Sequence, residues 1–421
     1  MNKRNNNLVT PRIRRARIAT FAGFMMIGAM MYIWSTGVTA FREQMGLSGS
    51  LGDVDFGMIA LSIGVGAAIG CIAVGRFVDA FGARKVIYAT AIAYPLSIIP
   101  MGYVSHFWFA VTFGGVLGLF RGAIDTALNS HGVQVERFYQ RPIMSAFHAF
   151  YSFGGFLIGI VGSYFASHYT SSAAVPFTVL GLAMLLIGLV TGHFLLDKGE
   201  APAQDMAVAD GDAAGPASSA RNWQIILIMI GFGILLLGGI IGESAVSDWG
   251  QEYVRRQLGT SASEAGLAIS VFIGAQCFSR VVGDRIAERI GAAQMVFCSG
   301  LAAVAGLLVT IIGGTPLAGL IGFGLYGLGL ACIAPLMLSS AGRKDPAHAG
   351  RNIGIVNGIG YSGMLVGPAG IAALVNYFGL SYLLYAPLIL LGLLAIFSPL
   401  LMRAHVSSPA GSGASSSLPA H

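Results

Sequence analysis

Twelve apolar segments, each of about 20 or more residues, alternate along this chain with short polar stretches. A segment of that length and composition is long enough to cross a bilayer as an α-helix. The segments form two sets of six, near residues 18–41, 54–75, 86–104, 107–133, 142–167 and 174–196, and near 223–248, 264–283, 292–312, 315–340, 352–377 and 380–402. The pattern predicts an all-α polytopic membrane protein with 12 transmembrane helices in two six-helix bundles.

The composition agrees with this class and argues against several others. Only 10% of the residues are charged, whereas soluble domains carry about 25%. The four cysteines lie in apolar segments without paired spacing, so neither a disulfide framework nor a metal site is expected. Glycine-rich stretches such as Gly64-x-Gly66 lie in the membrane with no lysine after them, which excludes a phosphate-binding loop. We therefore expect neither an enzyme nor a cofactor, and any uphill transport must use an ion gradient.

The polar stretches divide the chain into five regions. A basic tail at residues 1–17 precedes the first bundle at 18–196, and a tail at 403–421 follows the second bundle at 223–402. Between the bundles, residues 197–222 are rich in Ala, Asp, Gly, Pro and Ser, which is linker composition. The final tail is rich in Ser, Ala, Gly and Pro and is predicted to be disordered.

The lysines and arginines predict how the chain crosses the membrane. Twenty of them lie on one alternating set of loops, which includes both tails and the linker. The opposite set holds only Arg42, Arg255 and Arg256. By the positive-inside rule both termini and the linker are cytoplasmic. The net charge of +6 is thereby assigned to membrane topology rather than to nucleic-acid binding.

The two halves of the sequence repeat each other. A constant shift of 209 residues pairs Gly57 with Gly266 near the second segment, and His148 with Asn357 in the fifth. Further pairs at the same shift are Arg76 with Arg285, Asp79 with Glu288, Gly82 with Gly291, Gly118 with Gly327, Ile124 with Ile333, Ser130 with Ser339 and Gly154 with Gly363. Two similar six-helix units imply a central pathway at their interface.

The fourth apolar segment carries charge at a depth where charge is costly. Arg121, Asp125 and Asn129 follow one another at intervals of four residues, so they share one helix face and the first two can form an ion pair. A charge at the bilayer centre costs at least about 2.5–3.5 kcal/mol, so this face is expected to look into the protein. We interpret Asp125 as a proton carrier whose proton affinity changes when a conformation separates it from Arg121. The alternatives are a static buried ion pair and an Arg121 clamp for an anionic substrate.

Polar side chains of other segments are candidates for the same pathway. Glu243 and His148 are predicted to join Arg121 and Asp125 in proton coupling. The predicted substrate-binding residues are Asn129, Trp34, Tyr151, Asn357 and Tyr361. The alternative for His148 is a hydrogen bond between helices, and the alternative for Trp34 is ordinary packing.

The loop after the second segment resembles the signature of the major facilitator superfamily, G-x-x-x-D-R/K-x-G-R-R/K. Four positions match it, namely Gly75, Asp79, Gly82 and Arg84. Two positions depart from it, because Ala80 and Ala83 replace basic residues. The second half keeps a weaker copy, in which Asp284 stands where the glycine would be. With the 6+6 arrangement and the linker, the resemblance covers residues 18–402.

This resemblance implies a charge latch on the cytoplasmic side that stabilises one access state. The residues assigned to it are Gly75, Arg76, Asp79, Gly82, Arg84, Arg285 and Glu288. Glu136, which follows the fourth segment, is a further candidate for the latch.

A longer run resembles a narrower branch of the superfamily. It reads Asp125-x-x-x-Asn129-x-His131-Gly132-x-x-x-Glu136, followed by residues 141–148, RPIMSAFH. The branch contains the fucose-permease-like proteins and the membrane protein encoded beside rhizopine genes in rhizobia. The resemblance implies a monomeric secondary transporter in the bacterial inner membrane that works by alternating access, often with proton coupling. Small polar substrates such as sugars or cyclitols are implied, and no nucleic acid.

Two other functions are compatible with a chain of this class. One is efflux of lipophilic compounds, for which the predicted pathway is polar. The other is a non-transporting membrane sensor or scaffold, which would normally carry a soluble output domain.

Overall fold

The computed structural model describes residues 9–200, 202 and 216–404. Within these ranges, 12 helices are long and apolar enough to cross a membrane, and no strand occurs. The protein is therefore an all-α multi-pass membrane protein, as the sequence predicts. Residues 1–8 of the predicted basic tail, most of the predicted linker and the C-terminal tail from residue 405 lie outside the described residues.

The first half contains six helices. They are α1 (Pro11–Gln44), α2 (Gly49–Phe81), α3 (Ala83–Ile98), α4 (Phe107–Tyr139), α5 (Met144–His168) and α6 (Ala174–Gly192). Helix α1 begins at Pro11 rather than at the predicted residue 18, so part of the predicted tail is helical. The Thr10 side chain accepts a hydrogen bond from the Ile13 amide at 3.4 Å, and proline is favoured in the first turn of a helix.

The second half repeats this arrangement. Its helices are α7 (Pro216–Gln257), α8 (Ala262–Ile290), α9 (Ala292–Gly313), α10a (Pro316–Leu330), α10b (Ile333–Lys344), α11 (Ala349–Phe378) and α12 (Tyr385–Arg403). Helix α7 starts inside the predicted linker. The tenth span, predicted as continuous, is broken between Leu330 and Ile333. Pro335 explains the break, because proline cannot donate a hydrogen bond to the carbonyl four residues before it.

Helix ends near both chain termini lie on one face of the bundle, which we call the terminal face. At the start of α1, Arg12 pairs with Glu200, which follows α6, at 2.9 Å. At the end of α10b, the Lys344 ammonium donates to the carbonyl of Met402, near the end of α12, at 3.0 Å. We call the opposite side the distal face.

The two halves pack together along two main helix pairs. Helix α2 packs on α11, which we call the first seam, and α5 packs on α8, which we call the second seam. In the described residues, hydrogen bonds between the halves reach along α11 as far as Met364, the middle of that 30-residue helix. Polar contacts therefore join the halves from the terminal face to mid-height.

Candidate functional site

Asp125 lies on α4 at the contact between the two halves. Its carboxylate accepts a hydrogen bond from the Asn357 amide of α11 at 2.9 Å, and the Tyr361 side chain of the same helix lies near it. Only 7% of Asp125 is exposed, and Asn357 is buried too. The predicted carboxylate of helix 4 is thus brought together with two predicted substrate-binding residues of the other half.

Arg121 lies one turn before Asp125, but it extends toward other partners. Its guanidinium lies over the Tyr361 ring at 5.6 Å from the centroid, and one nitrogen is 3.9 Å from the Met364 sulfur. The expected ion pair between Arg121 and Asp125 is not among the contacts of the described residues. Spacing of four residues permits that pair, yet the carboxylate is hydrogen-bonded to Asn357 instead.

Asn129 and His148 extend the polar path within the first half. The Asn129 amide nitrogen donates to the Asp125 carbonyl at 2.9 Å, which leaves the amide oxygen to accept from His148 Nε2 at 3.2 Å. The proton of a neutral His148 is therefore on Nε2. Its ring lies 5.1 Å from that of Phe24 on α1. Asn129 and His148 form the helix–helix hydrogen bond that the sequence offered as the alternative to proton relay, and both roles stay open.

Helix α8 contributes Arg280, which the sequence analysis counted among the 20 basic residues of the loops. Arg280 donates to the Ser152 hydroxyl of α5 at 2.6 Å, while its Nε is buried without a hydrogen-bond partner. Its position inside the apolar segment 264–283 is the same signal that singled out Arg121, and it was available from the sequence. Tyr151, a predicted substrate-binding residue, is half-buried and within electrostatic range of both arginines.

Glu243 stands on α7 in the second half. Its carboxylate accepts a hydrogen bond from the Gln276 amide of α8 at 3.1 Å. Gln276 was not among the predicted site residues, because an amide in an apolar segment carries no charge to mark it. Glu243 therefore has a neutral partner, as Asp125 has in Asn357.

Trp34 is placed away from these contacts. Its ring packs against Phe41 of α1 and Phe177 of α6, at centroid distances of 5.3 and 5.9 Å. These neighbours belong to the core of the first half, and the structure does not bring Trp34 together with the other predicted residues. Its predicted contact with a substrate stays a prediction.

The latch residue Asp79 lies at the terminal end of the first seam. Its two carboxylate oxygens accept hydrogen bonds from the backbone amides of Gly350 and Arg351, at 2.8 and 2.9 Å. These amides belong to the first turn of α11, where a carboxylate is favoured by both hydrogen bonding and the helix dipole. Asp79 thus joins the halves through backbone groups rather than through a basic side chain.

The second seam has a matching carboxylate in Asp284. It accepts from the backbone amides of Ser145 and Ala146, in the first turn of α5, at 3.0 and 2.7 Å. Beside it, Glu288 pairs with Arg141 across the seam at 3.5 Å. The sequence noted Asp284 only as a departure from the glycine motif, and that departure is the signal for its role.

Glu136 connects the halves between these two seams and is fully buried. One oxygen accepts from the Ile143 amide at 2.7 Å, and the other contacts Ser339 and Arg343 of α10b. Three carboxylates from three different helices, Asp79, Asp284 and Glu136, therefore close the terminal face.

The remaining latch candidates lie at the edge of this closure. Arg84 pairs with Asp197 of its own half at 2.6 Å, while Arg76 and Arg285 are exposed. Gly75 lies in the first seam against Gly350, and Gly82 joins α2 to α3 with a positive φ of 85°. Glycine suits that conformation because it has no Cβ.

Residues 194–200 form a strap across the helix ends of the first half. The Lys198 ammonium donates to the carbonyls of Asp79 and Ala80 at the end of α2, at 2.6 and 3.1 Å. The strap is also held by His131, whose Nε2 accepts from the Leu196 amide at 2.8 Å. His131 of the branch-like run is thus a structural residue here.

Comparison with known proteins places this architecture in a family. Residues 225–420 match the model of the Major Facilitator Superfamily. An uncharacterized transporter of Sinorhizobium fredii, y4wD, is 29% identical over 382 residues, which cover 91% of this chain and 97% of that protein. The chain is thus similar to the Major Facilitator Superfamily in its second half and to y4wD over nearly its whole length.

Two further comparisons bear on the branch. Membrane protein MosC of Rhizobium meliloti is 24% identical over 361 residues, covering 85% of this chain and 83% of that protein. The crystal structure of FucP in the outward conformation aligns with a TM-score of 0.74 at 15% identity, over 91% of this chain and 98% of FucP. A second structure names FucP a fucose:proton symporter of E. coli. The superfamily fold and the predicted resemblance are confirmed, and y4wD and FucP are named as transporters.

Proposed function

We propose that this protein is a transporter of the major facilitator superfamily, which moves a small polar solute, such as a sugar or a cyclitol, by proton-coupled secondary active transport. It works by alternating access in the bacterial inner membrane, as a monomer, and draws its energy from the proton gradient without a cofactor. The positive-inside distribution supports a cytoplasmic terminal face, with both termini and the linker on that side. In that orientation the carboxylate contacts close the cytoplasmic side.

One observation carries this proposal: the Asp125 carboxylate is buried between the halves and is bound by Asn357 of the other half. When the halves separate at the terminal face, α4 moves away from α11 and this hydrogen bond is lost. The free-energy difference between the charged and protonated carboxylate must then change. That dependence is what proton coupling requires, because it makes the protonation of one residue depend on the access state.

The choice of a polar solute rests on the side chains around Asp125. Arginine, amide and phenol groups converge there from both halves, and such groups bind hydroxyls and charges rather than lipophilic surfaces. FucP, which shares the fold, transports fucose with protons, and this supports the same class of solute here.

The test uses purified protein in liposomes with an imposed proton gradient. The panel spans hexoses, deoxysugars, cyclitols and sugar acids, with lipophilic cations as the contrast. In the Asp125→Asn variant, we expect gradient-driven accumulation to be lost while solute counterflow continues, because only the coupling step needs a titratable group.

The matched control is Glu252→Gln. Glu252 pairs with Arg255 near the end of α7, outside the pathway, and its loss should leave accumulation unchanged. Full accumulation by Asp125→Asn would remove Asp125 from the mechanism. Transport of lipophilic cations alone would replace solute transport with efflux.

A further inference from the structure

Two arginines stand at mid-height between the halves, one contributed by each half. Arg121 lies on α4, and Arg280 lies on α8 ten residues before the helix ends, or about 15 Å from the terminal face. Both side chains are half-buried. A guanidinium stays charged in proteins, so each brings a permanent positive charge into a region of low dielectric constant.

Neither arginine is bound by a carboxylate within the described part of the chain. Arg121 contacts the Tyr361 ring and the Met364 sulfur. Arg280 donates to the neutral Ser152 hydroxyl at 2.6 Å, and its Nε is buried without a partner. A buried donor left without a partner is unfavourable, so this arrangement is incomplete as it stands.

The acidic residues nearby have other partners. Asp125 is bound by Asn357 and Glu243 by Gln276, both through neutral amides. Asp284, one turn from Arg280 on α8, accepts two backbone amides of α5 instead. Asp125 interacts electrostatically with Arg121 but does not contact it directly, so among the described residues no carboxylate is hydrogen-bonded to either guanidinium, and both keep donors for another anion.

We infer that the transported solute carries an anionic oxygen group, and that Arg280 binds this group while Arg121 faces it from the other half. The planar guanidinium matches carboxylate and phosphate oxygens with two parallel hydrogen bonds. Tyr151 is the neighbour of Ser152, to which Arg280 donates, and it interacts electrostatically with both arginines. This inference rests on the proposed function and narrows its substrate to hydroxylated acids, such as sugar acids, or to sugar phosphates.

The experiment measures ligand affinity by thermal stabilisation of the purified protein, with ligands that differ in one group. Glucose is compared with glucuronate and glucose 6-phosphate, and galactose with galacturonate. We expect the anionic member of a pair to bind about 10- to 100-fold more tightly, which is the range of a charge-assisted hydrogen bond. The uronate and phosphate arms show which oxygen group is recognised.

Variants locate the effect. Arg280→Gln should remove the preference for the anionic member, so that the two members of a pair bind equally, because glutamine can still donate to Ser152 but carries no charge. Arg280→Lys should keep part of the preference, since it retains the charge without the fork. Arg289→Gln, an exposed arginine of the same helix, is the control and should change nothing.

Equal binding of neutral and anionic members by the wild-type protein would overturn the inference and leave polar-solute transport standing. An Arg280→Gln variant that keeps the full preference for the anionic member would also overturn the inference and leave polar-solute transport standing. Binding of lipophilic cations alone, with no sugar, cyclitol or acid bound, would overturn the proposed function as well.

Discussion

The two seams join the same halves by different means. In the first seam, α2 and α11 are close enough for their backbones to touch: a Cβ added to Gly354 would lie 2.6 Å from the Cys71 carbonyl oxygen. A Cβ on Gly75 would lie equally close to the Gly350 carbonyl. This seam depends on the absence of side chains, and a single carboxylate, Asp79, closes its end.

The second seam is held by polar groups instead. Asp284 binds the first turn of α5, Arg280 binds Ser152, and Glu288 pairs with Arg141. The helices pack less extensively here than in the first seam.

The internal repeat shows that the two seams differ in side chains at corresponding positions. At a shift of 209 residues, Gly75 corresponds to Asp284 and Gly354 to Ser145. Gly75 lies beside Gly354 in the first seam, and Asp284 binds the Ser145 amide in the second. Two glycines in one seam thus stand where an aspartate and a backbone amide donor stand in the other. A repeated helix contact can therefore be held by close backbone packing in one copy and by a charged side chain in the other.

The distance between two spin labels, one on each half at the terminal face, can measure how much each seam contributes to closure. Phe81 and Ile290 are the exposed last residues of α2 and α8, one in each half. Cysteines placed at both positions in a background without the four native cysteines accept spin labels. The fraction of molecules with a long distance then reports how often the terminal face is open.

The largest effect is expected from filling the first seam. Gly354→Ala places a methyl group against the Cys71 carbonyl, and overpacking of this kind costs about 1–3 kcal/mol. Because this free energy destabilises only the closed state, the ratio of open to closed molecules should rise about 5- to 100-fold. Gly274→Ala on α8 is the matched control, because nothing lies within 4 Å of its added Cβ. A closed distance distribution in Gly354→Ala would show that the glycines are not needed for closure.

The next effect is expected from the helix-capping carboxylates. Asp284→Asn and Asp79→Asn each keep one acceptor but lose the charge at a helix N-terminus, at a cost of about 0.5–2 kcal/mol. Asp284 should show the larger shift toward the open distance, because it is 8% exposed while Asp79 is only partly buried. A larger shift in Asp79→Asn than in Asp284→Asn would mean that the first seam depends on its carboxylate more than the second seam does.

A smaller effect is expected from the strap. Lys198→Met removes the ammonium that binds the last carbonyls of α2, and a cation at that position contributes about 0.3–1 kcal/mol. Because Asp79 belongs to the same turn, the open fraction should rise slightly. Lys85→Met, an exposed lysine in the first turn of α3, serves as the control. An equal change in both variants would assign the effect to surface charge.

The smallest effect is expected from the exposed ion pair of the second seam. The Arg141 and Glu288 side chains are 42% and 45% exposed, and such pairs contribute about 0–1 kcal/mol. A double-mutant cycle with Arg141→Gln and Glu288→Gln should give a coupling energy in that range that disappears in high salt. A coupling that persists in salt would place this pair among the main contacts of the seam.

Much of this organisation was predictable from the sequence because the bilayer restricts what a chain can do. Apolar length fixes the helix count, and the cost of charge in lipid singles out Asp125. The shift of 209 residues relates Asn357 to His148, and both contact residues of α4. The partners were not predictable, because they depend on how far each helix is rotated and displaced.

Three residues illustrate that limit. Arg121 was expected to pair with Asp125 but reaches across to α11. Asp284 looked like a defect in a glycine motif, although its partners are backbone amides that no sequence pattern reveals. Trp34 was predicted to bind the substrate, and the sequence did not predict its packing on Phe177 of α6, because an aromatic residue in an apolar helix carries no signal for its direction.

The account's central claim is that protonation of Asp125 is linked to opening of the terminal face. The most direct test measures the distance between labels at positions 81 and 290 at pH 5.5 and 7.5, in the wild-type chain and in Asp125→Asn. We predict that the open fraction changes with pH in the wild-type background and is the same at both pH values in Asp125→Asn. An Asp125→Asn variant that keeps the wild-type pH response would contradict the claim and transfer the coupling to another residue.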